Sequence, residues 1–122
     1  MTTVTIEEDV IRISMEGMGK VWALKSGLTI PLAHVRAVQV APADLRPKGI
    51  RAPGTALPGV FYAGTWRGRG FKEFWYVHRP EKALVLELEG DAYSRVAVEV
   101  GDPHAVAAEI EGARAGLAGT VR

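Results

Sequence analysis

Apolar residues recur at every second position in four separate stretches of this chain, and that rhythm constrains the fold more than any other feature. Val4 and Ile6 alternate with Thr3, Thr5 and Glu7; Ile11, Ile13 and Met15 alternate with Arg12, Ser14 and Glu16. Leu84, Leu86 and Leu88 face one way and Val85, Glu87 and Glu89 the other, and Val96, Val98 and Val100 alternate with Arg95, Ala97 and Glu99. Successive side chains of a strand point to opposite faces, so the spacing predicts half-buried antiparallel strands. Turn residues separate the runs: Glu8-Asp9 after the first, Gly68-Arg69-Gly70 between 59–66 and 71–78, and Gly90-Asp91 before the last. Two further runs, Leu28–Leu32 and Val35–Val40, are split only by Ala33-His34, and Pro31, which has no N–H, belongs at an edge or a bend. Residues 41–58 hold four of the seven prolines and read as a long loop.

Two segments break the period of two. Met18, Val21 and Trp22 lie at i, i+3 and i+4, which predicts a short helix near 16–25 despite Gly17 and Gly19. The tail is clearer. Asp102 suits an N-cap, Pro103 suits the first helical position, and Val106, Ile110, Ala113 and Leu117 form one apolar stripe. An isolated helix of this length is marginal in water, so the stripe needs a partner surface. The expected architecture is mainly β: seven or eight short antiparallel strands rolled or split into two packed sheets, with a capping helix near 103–117 closing one end. At 122 residues the chain makes one domain, 1–122, with its core between about 2 and 117.

The order of these pieces resembles a pleckstrin-homology-like (PH-like) split barrel, and more narrowly the small bacterial PH-like domains. The residues that carry the likeness are Trp22-Ala23-Leu24, Ile30-Pro31-Leu32 and Val35-Arg36-Ala37-Val38. They continue with the loop Arg51-Ala52-Pro53-Gly54-Thr55-Ala56-Leu57-Pro58-Gly59, then Ala63-Gly64-Thr65 and Asp102-Pro103-His104-Ala105-Val106. The likeness spans about residues 2–115. It implies a binding or assembly module and not an enzyme. Phosphoinositide-binding members place Lys and Arg around the loop joining their first two strands. Here that loop is Glu7-Glu8-Asp9, which repels an inositol phosphate, so the lipid site does not carry over. The final helix also lacks the Trp of eukaryotic PH domains; Val106 and Ile110 take its packing role.

Composition narrows the chemistry. The absence of cysteine excludes a disulfide scaffold, a thiol nucleophile and cysteine-based metal sites. The three serines, Ser14, Ser26 and Ser94, lie in no Gly-x-Ser-x-Gly turn. His34, His78 and His104 have no metal-ligand spacing. No catalytic residue, metal or cofactor is expected. The formal charge of +1 recruits neither nucleic acid nor anionic membrane, yet residues 41–80 carry +5 and residues 81–122 carry −4. Lys48, Arg51, Arg67, Arg69 and Lys72 are therefore candidate ligands for an anionic small molecule or lipid headgroup, provided that they converge. Phe71, Glu73, Trp75 and Val77 alternate with Lys72, Phe74, Tyr76 and His78, so both faces of that strand carry aromatics. On a one-sided sheet some of them are exposed. Phe74, Trp75 and Tyr76, with loop 41–58, are thus the candidate face for a protein partner or for self-association. The N-terminus lacks the basic and apolar regions of a signal peptide and no apolar run reaches membrane-spanning length, from which a cytoplasmic location is expected. The Ala-, Gly- and Arg-rich, Asn-free composition fits a bacterial source.

Overall fold

The computed structural model describes residues 2–15, 27–43, 45, 50–51, 55–57 and 61–120. In chain order these form β1 (Thr2–Glu7), β2 (Val10–Met15), β3 (Gly27–Pro31), β4 (Val35–Val40), β5 (Ile50–Arg51) and β6 (Thr55–Leu57). They continue with β7 (Phe61–Gly68), β8 (Phe71–Val77), β9 (Ala83–Leu88), β10 (Arg95–Glu99) and the helix α1 (Pro103–Thr120). The helix expected near 16–25 lies outside the described residues. Short 3-10 turns, Leu32–His34 and Pro80–Lys82, lead into β4 and β9.

The alternating runs become strands, and the turns follow from single residues. Glu7 pairs with Val10, leaving Glu8 and Asp9 as a two-residue hairpin loop. Glu8 adopts φ 53°, the left-handed conformation that such a loop demands and that Gly would take without strain. In the β7–β8 hairpin Gly68 pairs with Phe71 and Gly70 supplies the positive φ of 78°.

Two sheets result, of order β1-β2-β3 and β4-β9-β10-β8-β7-β5, with β6 also beside β7. Three expectations need correction. The proline-rich segment 41–58 is not all loop: β5 and β6, two and three residues long, pair with the outer edge of β7, so the strands outnumber seven or eight. The strands are not all antiparallel: β8 and β10 run parallel, from Arg95 opposite Glu73 to Val98 opposite Tyr76. The period of two is the same for either direction, and it is the connection that decides. Chain 78–82 crosses two strand spacings, roughly 10 Å, and β10 folds back from β9 into the gap. Finally, the larger sheet is not one-sided. Ala83, Leu84, Val85 and Leu86 are all fully buried, the signature of a strand covered on both faces.

The main core lies between the sheets. Ile11, Ile13, Leu28 and Ile30 of the small sheet meet Phe74, Leu84, Leu86, Val96 and Val98 of the large one. α1 seals it. Asp102 Oδ1 accepts the Ala105 N–H at 3.1 Å, Ile110 is fully buried, and Val106, Ala107 and Ala113 pack against the same cluster. The helix touches β1 of one sheet and β4 and β9 of the other, so its apolar stripe is seated across the seam between them. The sheets remain separate ladders and do not close into one barrel. On the far face of the large sheet a second cluster gathers Trp66, Trp75, Val77, Ala83, Val85 and Ala97, with Leu45 packed against it.

Candidate functional site

The far face carries one row of charge among its apolar residues. Cross-strand partners share a face, and the register sets Trp66, Glu73, Arg95 and Glu87 side by side across β7, β8, β10 and β9. Glu73 is only 2% exposed. A buried carboxylate is tolerated when hydrogen bonds and a counter-charge replace its water. Arg95 supplies both, with Nε at 3.1 Å from Oε2 and Nη2 at 3.1 Å from Oε1. The Trp75 indole N–H, two residues along the same face, donates to Oε1 at 3.1 Å. The guanidinium in turn lies 5.1 Å from the centre of the Trp75 ring, and Trp66 meets that ring edge-on at 6.4 Å.

Where this row meets the end of the sheet there is a cavity of about 400 Å³ lined by Phe71, Glu73, Glu87, Ser94 and Arg95. Its rim is fixed by backbone. Ser94 N–H and hydroxyl both donate to the Lys72 carbonyl, at 2.7 and 3.1 Å, and Leu88 N–H donates to the Ser94 carbonyl at 2.9 Å. Its wall is fixed by a glycine: the Phe71 ring lies so close over Gly68 that a Cβ there would come within 2.1 Å of it. Among the described residues the cavity holds an ion pair, one further carboxylate, an aromatic ring and a hydroxyl already committed to a carbonyl.

Two other polar clusters hold connections. His34 Nδ1 and Asp91 Oδ2 lie 2.7 Å apart, Asp91 Oδ1 accepts the Tyr93 N–H, and the His34 carbonyl accepts the Glu89 N–H, which ties the β9–β10 loop to the turn before β4. Glu99 clamps the crossing between β8 and β9. Its Oε1 accepts the N–H groups of His78 and Arg79 at 2.8 and 2.7 Å, and Oε2 accepts Arg79 Nε at 3.1 Å. Burial alone raises the Glu99 pKa, but the two backbone donors and the Arg79 guanidinium outweigh it and hold the carboxyl below its ordinary value. A depressed folded pKa stabilises the fold above the unfolded value of about 4.5, and that stability is lost as pH falls through the folded value. Glu99→Gln is therefore expected to cost about 1–2 kcal/mol at pH 7, with the gap to the parent narrowing as pH falls below the unfolded value of about 4.5. Urea titrations at several pH values check this, and a gap unchanged from pH 7 to 3 would refute it. Glu99 also pushes the half-buried Tyr76 hydroxyl further up, adding to the greater effect of burial.

Of the candidate anion ligands, the structure brings Arg67 and Lys72 side by side. Lys48 lies outside the described residues. Arg51 pairs through its backbone with Trp66, one register step away from the Arg67–Lys72 pair. Arg67 and Lys72 are cross-strand partners, Arg69 is exposed in the turn between them, and Lys72 Nζ sits 4.8 Å above the Tyr93 ring. The aromatic residues of the candidate partner face lie inward. Phe74 is fully buried in the main core and Trp75 in the far-face cluster, because both faces of β8 are covered; Tyr76 is half-buried against the main core. Glu73, Glu87, Ser94 and Arg95, which sequence reasoning did not single out as a site, are the residues the fold assembles. One signal for them stood in the sequence: a glutamate set among Phe71, Trp75 and Val77 on an apolar face must find a partner. Among the described residues no three of His, Asp and Glu converge to hold a metal ion, and no helix is long and apolar enough to cross a membrane. No protein-family model, curated protein or solved structure matches this chain.

Proposed function

We propose that the chain is a non-catalytic, PH-like binding module that takes a small ligand in the cavity above the Glu73–Arg95–Glu87 row. The observation that carries this reading is a ligand-sized hollow with a preset floor: about 400 Å³ over a carboxylate already locked by two guanidinium bonds. Its polar groups serve shape and recognition. Ser94 is held to a backbone carbonyl and Glu73 to Arg95 and Trp75, an arrangement without the nucleophile–base contact that covalent catalysis requires. Two packed sheets sealed by a C-terminal helix support the PH-like part of the reading; the parallel β8–β10 pair is a departure from an all-antiparallel split barrel.

A second reading, an anion site at the hairpin tip, rests on the adjacent Arg67, Arg69 and Lys72, none of which forms an ion pair among the described residues. One experiment separates the two. Amide shifts of the labelled protein are followed against a set of small neutral, cationic and phosphate-bearing fragments. Shifts are expected to cluster at Phe71, Glu87, Ser94 and Arg95. Clustering at 67–72 with phosphate fragments alone would favour the tip, and scattered shifts without a cluster would remove both.

A further inference from the structure

We infer that the cavity selects an organic cation, an alkyl or aralkyl ammonium, through the Glu87 carboxylate and the Phe71 ring; the inference rests on the cavity being a binding site at all. Among the described residues three charged groups line the hollow. Two of them, Glu73 and Arg95, satisfy each other through a pair of parallel hydrogen bonds. The third, Glu87, is half-buried on the opposite flank of Arg95 and makes no hydrogen bond or ion pair among the described residues. Among the described lining residues the charges therefore sum to one net negative, carried by Glu87. Half-buried, that carboxylate is screened by solvent less than one on an open surface.

An ammonium ligand meets three complementary features at once. Its N–H groups donate to Glu87, its positive charge balances the lining, and its carbon frame lies against the Phe71 ring, whose π-face attracts cations. An anion meets the opposite case. It approaches a bare carboxylate, and the guanidinium it would seek already has Nε and Nη2 on Glu73. The ring is held for this role by the space over Gly68, which a Cβ would take away. The volume sits near the lower end of the range for small-molecule pockets, which suits a compact amine.

The test uses the full-length labelled chain and three isosteric probes, benzylammonium, benzyl alcohol and benzoate, at low salt. Benzylammonium is expected to shift the amides of Phe71, Glu87 and Ser94 and to bind about tenfold more tightly than benzyl alcohol, with benzoate weakest. Glu87→Gln, at a half-exposed strand position that leaves the fold intact, is expected to bring the amine down to the level of the alcohol, and Gly68→Ala to weaken amine and alcohol alike by displacing the ring. Arg69→Gln should change nothing. Equal binding of the three probes, preference for benzoate, or an amine affinity indifferent to Glu87→Gln would overturn the cation assignment while leaving the cavity a binding site. No shifts at the cavity with any probe would overturn the binding-module reading as well.

Discussion

Arg95→Met should cost this protein about 3–5 kcal/mol, far more than the loss of a partly exposed arginine normally does. The residue itself is not the reason. Its side chain keeps 18% of its surface in solvent, but Glu73 keeps 3%, and without the guanidinium that buried carboxylate loses two hydrogen bonds and the counter-charge that the described residues give it. Desolvation of such a charge outweighs whatever a methionine at position 95 gains by burying its apolar atoms, so the balance is a net loss of stability. Removing both charges tests that account. Glu73→Met with Arg95→Met is expected to recover most of the loss, because the hole for the ion pair is then filled by apolar atoms next to Trp66, Trp75 and Val85. Urea denaturation of the two single variants and the double variant closes the cycle. A single-variant loss below about 1 kcal/mol, or a double variant as unstable as the sum of the singles, would mean that the pair contributes little and that the cavity floor is not set by it. A stability of roughly 5–15 kcal/mol is usual for a domain, so the expected loss is a substantial share of the total.

Most of the strands were legible in the sequence because each pleated run carries its own signature of period two, and local signals are what a chain states plainly. Asp102-Pro103 and the stripe through Val106 and Ile110 announced the terminal helix for the same reason. The arrangement of strands was not legible. Leu84–Leu88 and Val96–Val100 have the same pattern whether β10 lies outside β9 or slips between β9 and β8. What decides is a five-residue crossing held by Glu99 on the N–H groups of His78 and Arg79, a contact across twenty residues of chain. The site fared likewise. Glu73 and Arg95 are 22 residues apart and meet only because β8 and β10 are neighbours. The basic residues of the middle third attracted attention because they are close in sequence, yet closeness in sequence at a hairpin yields one cross-strand pair, Arg67 with Lys72, and a turn residue, and places Arg51 one register step away. The aromatic strand misled for a physical reason. Alternation on two faces suggests exposure only where one face of the sheet is bare, and here Leu45 of the proline-rich segment packs against the far-face cluster while the small sheet and helix cover the other.

Phe74→Ala distinguishes those two views of β8 by its size, and about 3–5 kcal/mol is expected. The ring has no exposure and meets Tyr93 edge-on, with centroids 5.9 Å apart at 68°, inside the cluster where β8, β9, β10 and the small sheet converge. Truncation removes its transfer energy and leaves a void that flanking strands, tied on both sides by ladder hydrogen bonds, collapse into poorly. It also removes the surface that positions Tyr93, and Tyr93 carries Lys72 over its ring and follows the loop that brings Ser94 to the cavity rim. A residue on a partner-binding face behaves differently: its truncation changes stability by less than about 0.5 kcal/mol and shows up in assembly. Urea midpoints and sedimentation on the same samples read both quantities. A large loss of stability at unchanged molecular mass places Phe74 in the core, with Tyr76→Ala, half-buried beside it, costing less. A small loss accompanied by a change in mass would return β8 to the surface and, with it, reopen the question of which side of the sheet this protein uses.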